Sequence, residues 1–138
     1  MKFKKSIMRK VTSIICGLIL GTMLISSVSV NAASSETSSY TIDGAYASGW
    51  CGYTSTSAYA STSHLLHTTK VVTLKAYARN GGSLFLYGSD EKTAVDLNPV
   101  SLTISISSVF TGAGAKATHK VTGSSGSWTG NTNSGSTL

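Results

Sequence analysis

Charge is scarce in this chain, and most of its excess sits in one place. Only 12% of the residues are charged, with five acids, Glu36, Asp43, Asp90, Glu91 and Asp96, against eleven bases. The formal net charge of +6 would fit a nucleic-acid or membrane partner if the bases were spread evenly, but Lys2, Lys4, Lys5, Arg9 and Lys10 all precede residue 11. All five acids lie beyond Ala32, so the chain after that point is nearly neutral. That distribution excludes a nucleic-acid footprint and assigns the basicity to an address label.

Cysteine is rarer still. Cys16 lies in an apolar leader behind Ser13-Ile14-Ile15, without the small residues that a lipoprotein peptidase needs, so a lipid anchor is not expected. Cys51 then has no partner within the mature chain, which excludes an intramolecular disulfide and leaves a free thiol. Its neighbours Trp50, Gly52 and Tyr53 favour burial over an intermolecular bridge, because a free cysteine behaves as a small hydrophobe. The single proline, Pro99, must stand at a strand start or an edge.

Catalytic signatures are missing as well. Serines are everywhere, yet no Gly-x-Ser-x-Gly elbow is present. The only adjacent acids, Asp90 and Glu91, point apart on an extended chain and do not converge as a glycosidase pair would. Cys51 with a histidine defines no site without geometry, so the chain is not expected to be an enzyme and no cofactor is expected. The histidines are His64, His67 and His119; the spacing of His64 and His67 would suit a shared metal on a helical turn, but it matches none of the standard zinc signatures. These two are weak metal candidates, and the expectation is that no metal is bound. His119 shares a strand register with Val121 and reads as a half-buried histidine donating to a backbone carbonyl.

What is present begins with the leader. After the basic residues, Val11 to Val30 carries no charge and is rich in Ile and Leu, and Val30-Asn31-Ala32 offers a small-x-small cleavage site. This is the pattern of a secretory signal peptide over residues 1 to 32, in a Gram-positive style. Ser26, Ser27, Ser29 and Asn31 break up the far end of the run, which argues against a membrane span, and the mature chain holds no candidate span. The expected product is secreted, either released or retained at the cell surface.

Serine and threonine dominate the remainder, and they disfavour helix interiors while Thr, Tyr and Val sit well on a pleated surface. Residues 33 to 39 hold no apolar side chain larger than Ala and read as a disordered tail. From Thr69 to Arg79, Val72, Leu74, Ala76 and Ala78 fall on one face and Val71, Thr73, Lys75, Tyr77 and Arg79 on the other. Asn80-Gly81 supplies a hairpin turn and a return strand follows to Gly88, with Ser89 to Pro99 as a polar loop. Val100, Leu102, Ile104 and Ile106 alternate with Ser101, Thr103, Ser105 and Ser107, which predicts one buried and one wet face. A strand over 115 to 122, a turn at 123 to 126 and a strand through Trp128 complete the chain, with residues 133 to 138 frayed. Six to eight short strands predict a single all-β antiparallel sandwich over residues 40 to 132, Ig-like or jelly-roll-like, with Trp50, Trp128, Phe85 and Phe110 in its core.

The remaining chemistry is that of a surface. Six tyrosines and two tryptophans among many hydroxyls match the composition of saccharide-binding modules, in which rings stack on sugar faces and Ser, Thr and Asn bond the hydroxyl groups. Tyr77, flanked by Lys75 and Arg79 on the face away from the core set, is the predicted ligand platform. Cell-wall glycan or another surface component is the partner that this reading implies. The stretch Gly52-Tyr53 through Ser57-Ala58-Tyr59, with His64 and His67 shortly after, is similar to the start of mature lactococcin-type bacteriocins, although the C-terminal third with His119 and Trp128 does not extend the likeness. That resemblance implies an alternative, a small secreted antibacterial protein.

Overall fold

A computed structural model describes residues 32 to 138; the expected leader before Ala32 lies outside the described residues. The described chain is all-β. Its strands are β1 (Ala32–Ile42), β2 (Ala45–Tyr53), β3 (Ser57–Ser63), β4 (Thr68–Asn80), β5 (Ser83–Asp96), β6 (Val100–Ser105), β7 (Thr111–Gly123) and β8 (Gly126–Gly135). They form two antiparallel four-stranded sheets, the first in the order β1-β2-β3-β6 and the second in the order β5-β4-β7-β8. Neither is the ABED or CFG order of immunoglobulin domains. The sheets face one another, with β1 beside β8 along one margin and β6 beside β5 along the other. Among the described residues no helix is long and apolar enough to cross a membrane.

Turn chemistry sets the hairpins. Asp43 and Gly44 join β1 to β2 with φ of 52° and 94°, the two positive angles of a type I′ turn, whose twist matches the flanking strands. At the β4–β5 turn the central residues are Gly81 and Gly82, because Asn80 pairs with Ser83; only Gly81 has positive φ, 60°, the sign pattern of a type II′ turn. The expected Asn-Gly turn is therefore shifted by one residue.

Three expected boundaries are corrected. Residues 33 to 39 are not a disordered tail but the body of β1, paired with β2 from Ala32 opposite Tyr53 to Thr37 opposite Ser48. Between Thr37 and Thr41 this strand bulges, and the Ser38 hydroxyl fills the gap by accepting from the Ala47 amide at 2.9 Å. Backbone pairing compensates for the want of apolar side chains. Residues 89 to 96 continue β5 along β4 rather than forming a loop; Asp90, Glu91 and Lys92 are tolerated because β5 is an edge strand, where charge also discourages pairing with other chains. The C-terminal residues are tied down: β8 runs to Gly135, and the Ser136 amide donates to Ala113 O at 2.8 Å.

The interior is built from small residues. Cys51, Ala58, Ala60, Val72, Leu74, Ala76, Val100, Ala115 and Ala117 form one buried cluster, and Ile42, Ala47, Val121 and Trp128 form another. The predicted inward set Val72, Leu74, Ala76 and Ala78 is fully buried. Phe85, Tyr87 and Phe110 are half-buried; Phe85 and Tyr87 pack edge-on against Phe110 at centroid distances of 5.2 and 5.9 Å and lie tilted to one another at 6.4 Å, closing the margin between β5 and β6. Of the four aromatics expected in the core only Trp128 is buried; Phe85, Phe110 and Trp50 are half-buried. Ala47, Gly49 and Cys51 point inward on β2, so strand alternation turns Trp50 outward, where it is half-buried.

Candidate functional site

The predicted platform is not a platform. Lys75 and Arg79 are exposed, but Tyr77 between them is only 4% exposed. Its partner on β7 is Gly114, and the carbonyls of Ser134 and Ser136 occupy the space beside that glycine. Arg79 reaches across to Ser136 Oγ at 3.2 Å, so the C-terminal residues cover this row. Strand alternation placed Tyr77 on the correct side of β4, but it could not show that the chain end returns there.

The histidines do not converge on a metal. His64 is buried: its Nε2–H donates to Ile42 O at 2.9 Å and Ala45 O at 3.2 Å, and its Nδ1 accepts from the Leu66 amide at 3.4 Å. It holds the β3–β4 crossover against the β1–β2 turn, while His67 is exposed on the same crossover. No group of three or more His, Cys, Asp or Glu with metal-binding potential occurs among the described residues.

His119 is fully buried on β7, not half-buried, and its partners are hydroxyls rather than a carbonyl. Thr62 Oγ1 lies 2.9 Å from Nδ1 and Thr132 Oγ1 lies 2.8 Å from Nε2. Burial depresses its pKa to about 4. Cys51 is also enclosed, with Sγ donating to Ala115 O at 3.6 Å, and burial pushes its thiol above the ordinary value. A thiol held protonated and out of reach of solvent is not a nucleophile. These groups knit the interior together and offer no access to a substrate.

Lys70 escaped the sequence reading, although it shares the inward register of Val72 and Leu74. It is fully buried, and its ammonium donates to the carbonyls of Leu66, Thr68 and Asp96, which joins the β3–β4 crossover to the end of β5. Burial lowers its pKa, and the Asp96 carboxylate opposes that effect.

Aromatic rings and hydroxyls gather on the outward face of the first sheet. Cross-strand register places Ser35, Trp50, Ser61 and Ser101 in one row, and Gly52, Tyr59 and Thr103 in the next. Tyr46, 59% exposed, stands four residues before Trp50 on the same face of β2. Six strand residues separate the levels of Tyr46 and Tyr59, so the three rings follow a diagonal track of about 20 Å at the usual rise of a strand. Trp50 and Tyr59 are diagonal neighbours about 7–8 Å apart by the same sheet geometry.

Polar groups set this track in place. Ser57 Oγ donates to Tyr59 Oη at 2.5 Å and lies 3.0 Å from Thr54 Oγ1, while Ser101 Oγ donates to Ser61 Oγ at 2.9 Å. The Trp50 Nε1 has no hydrogen-bond partner, so the indole is positioned by its neighbours alone. No charged residue occupies an outward position on β2, β3 or β6. The signal for this face was present in the sequence as the alternation of Tyr46, Ser48 and Trp50 against Ala47, Gly49 and Cys51.

No family model matches this chain, and the comparisons with curated proteins and with solved structures found no match.

Proposed function

We propose that the protein is a secreted, non-catalytic binding module that takes a neutral saccharide of the cell wall on the outward face of its first sheet. The observation that carries this reading is the track of Tyr46, Trp50 and Tyr59 set among rows of serine and threonine hydroxyls without charge. Aromatic rings cover the apolar face of a sugar, and hydroxyls on a fixed sheet exchange hydrogen bonds with its hydroxyl groups. A strand scaffold holds these groups more rigidly than a loop would, which lowers the entropic cost of binding. The basic, uncharged-then-cleavable leader of the sequence supports export to the compartment where such a ligand is found.

The test is co-sedimentation of the purified protein with isolated peptidoglycan and with intact bacteria, with growth followed in parallel. Sedimentation that Trp50→Ala and Tyr46→Ala each weaken, without growth inhibition, is the expected result. Protein that remains in the supernatant with both materials overturns the reading. Growth inhibition of related strains at low dose would instead favour an antibacterial role of the lactococcin type.

A further inference from the structure

The outward face of the second sheet has the opposite chemistry. Lys75 on β4 and Lys116 on β7 are direct cross-strand partners, and Lys120 stands four residues further along β7, about 13 Å away at strand rise. The row through Lys75 and Lys116 is completed by Ser89 and Asn133, so it contains no acid. The Lys120 row likewise contains none, since its members are Thr93, Val71 and Thr129. The one acid on this face, Glu91, lies on the edge strand and accepts from Thr73 Oγ1 at 2.8 Å.

Like charges directly opposite one another destabilise a sheet, and here nothing in the row relieves them. A folded chain that is otherwise nearly neutral has gathered three of its bases on one flat surface. We infer that this face binds a linear phosphodiester polymer with a polyol backbone, a site separate from the aromatic track. Phosphates would lie along Lys75, Lys116 and Lys120, and the threonine and asparagine side chains between them would meet the polyol hydroxyls. Nucleic acid fits less well, because the rows of this face that run from Thr69 to Lys75 hold no aromatic ring on which a base could stack and no arginine to fork onto phosphate; Tyr77, further along, is buried, and Arg79 is engaged with Ser136.

The experiment measures binding of the purified protein to poly(glycerol phosphate), with poly(U) and dextran as comparison polymers, over a range of salt. The expected result is binding to poly(glycerol phosphate) that weakens with a log–log salt slope of about −2, as three lysine contacts to a single-stranded polyanion imply. The pair Lys75→Gln with Lys116→Gln should reduce that slope to about −0.7 and lower affinity about tenfold or more. Trp50→Ala should leave it unchanged, which separates this face from the saccharide reading. Lys116→Gln alone should also raise the thermal midpoint of the free protein by removing the opposed charges, so loss of binding cannot be assigned to unfolding. Binding that is absent at low salt, unaffected by the double substitution, or as tight for poly(U) as for poly(glycerol phosphate) overturns the inference.

Discussion

The His119 Nδ1–H donates to Thr62 Oγ1 across 2.9 Å, and this bond fixes the tautomer of a fully buried imidazole. Thr62 has one hydroxyl proton, and it is given to Val71 O at 2.9 Å, so its oxygen accepts from the ring. Nε2 is then the acceptor, and Thr132 Oγ1 donates to it at 2.8 Å. A chain of three bonds therefore joins β3, β4, β7 and β8 through a neutral ring.

Mild acid should break this arrangement. The pKa of His119 falls from 6.5 to about 4 on folding, so between those values the unfolded chain binds the extra proton and stability rises with pH. The contribution is full above about pH 6.5 and is lost as pH falls toward about 4, a total of about 3 kcal/mol. Urea midpoints measured from about pH 7 to about 4.5 should decline steadily. In His119→Gln the slope over this window should flatten, whatever the absolute stability of the variant. A wild-type midpoint constant over the window would contradict the assignment.

Gly49 should not tolerate a side chain. A Cβ there would run into Cγ, Cδ2 and Nδ1 of the His119 ring, and that ring is held from both nitrogens and cannot swing away. Gly49→Ala is expected to cost about 1–3 kcal/mol by overpacking, read as a lower urea midpoint with an unchanged m-value. Gly82→Ala, with nothing within 4 Å of the added atom, serves as the control.

Asp43 ties the tips of two hairpins from opposite sheets. Its carboxylate accepts from the amides of Ser124 and Ser125 at 2.9 and 2.7 Å and from Ser124 Oγ at 2.9 Å, and its own amide donates to Ser125 Oγ at 2.6 Å. Those donors lower its pKa from 3.8 to about 2. The folded value is depressed, so this stabilisation is present above about pH 3.8 and is lost as pH falls toward about 2, below the His119 window. Asp43→Asn keeps a residue that accepts positive φ but removes the charge. It should lower the thermal midpoint at neutral pH and remove the part of the acid transition that lies below about pH 4.

The strand periodicity of β4 and β6 was legible in the sequence because one face of each meets the core and the other meets water. Val72, Leu74, Ala76 and Ala78 are buried as that alternation requires. The β1 pairing was not legible, since Ala-Ser-Ser-Glu-Thr-Ser-Ser has no apolar period and is held by backbone bonds to β2. Tyr77 had the right parity and the wrong surroundings, because a chain end remote in sequence covers it. Trp50 was misplaced for the converse reason: a large aromatic suggests a core, but its neighbours Gly49 and Cys51 claim the inward positions. Local pattern gives the side of a strand, whereas the exposure of that side depends on what packs over it.

Lys70 should resist replacement despite carrying no surface role. Lys70→Met keeps the apolar stem but leaves the carbonyls of Leu66, Thr68 and Asp96 without their shared donor. A loss of about 1–3 kcal/mol is expected from these acceptors. Amide exchange should quicken first at the residues around 64 to 70 and at the end of β5, the two segments that the ammonium joins.

Cys51 should be silent to thiol reagents in the folded protein. The side chain is fully buried, Sγ donates to Ala115 O, and burial raises the thiol pKa, so both access and thiolate are withheld. Labelling by a disulfide-exchange reagent should therefore proceed only through opening of the sandwich and should follow the unfolding equilibrium as urea is added. Gly49→Ala, which destabilises the wall facing His119, should label faster than wild type at the same urea concentration. The same burial predicts a monomer band on a nonreducing gel when the thiol is blocked only after native incubation with oxidant. A band of doubled mass formed from native protein would mean that Cys51 reaches a second chain without unfolding, and it would contradict the enclosed position.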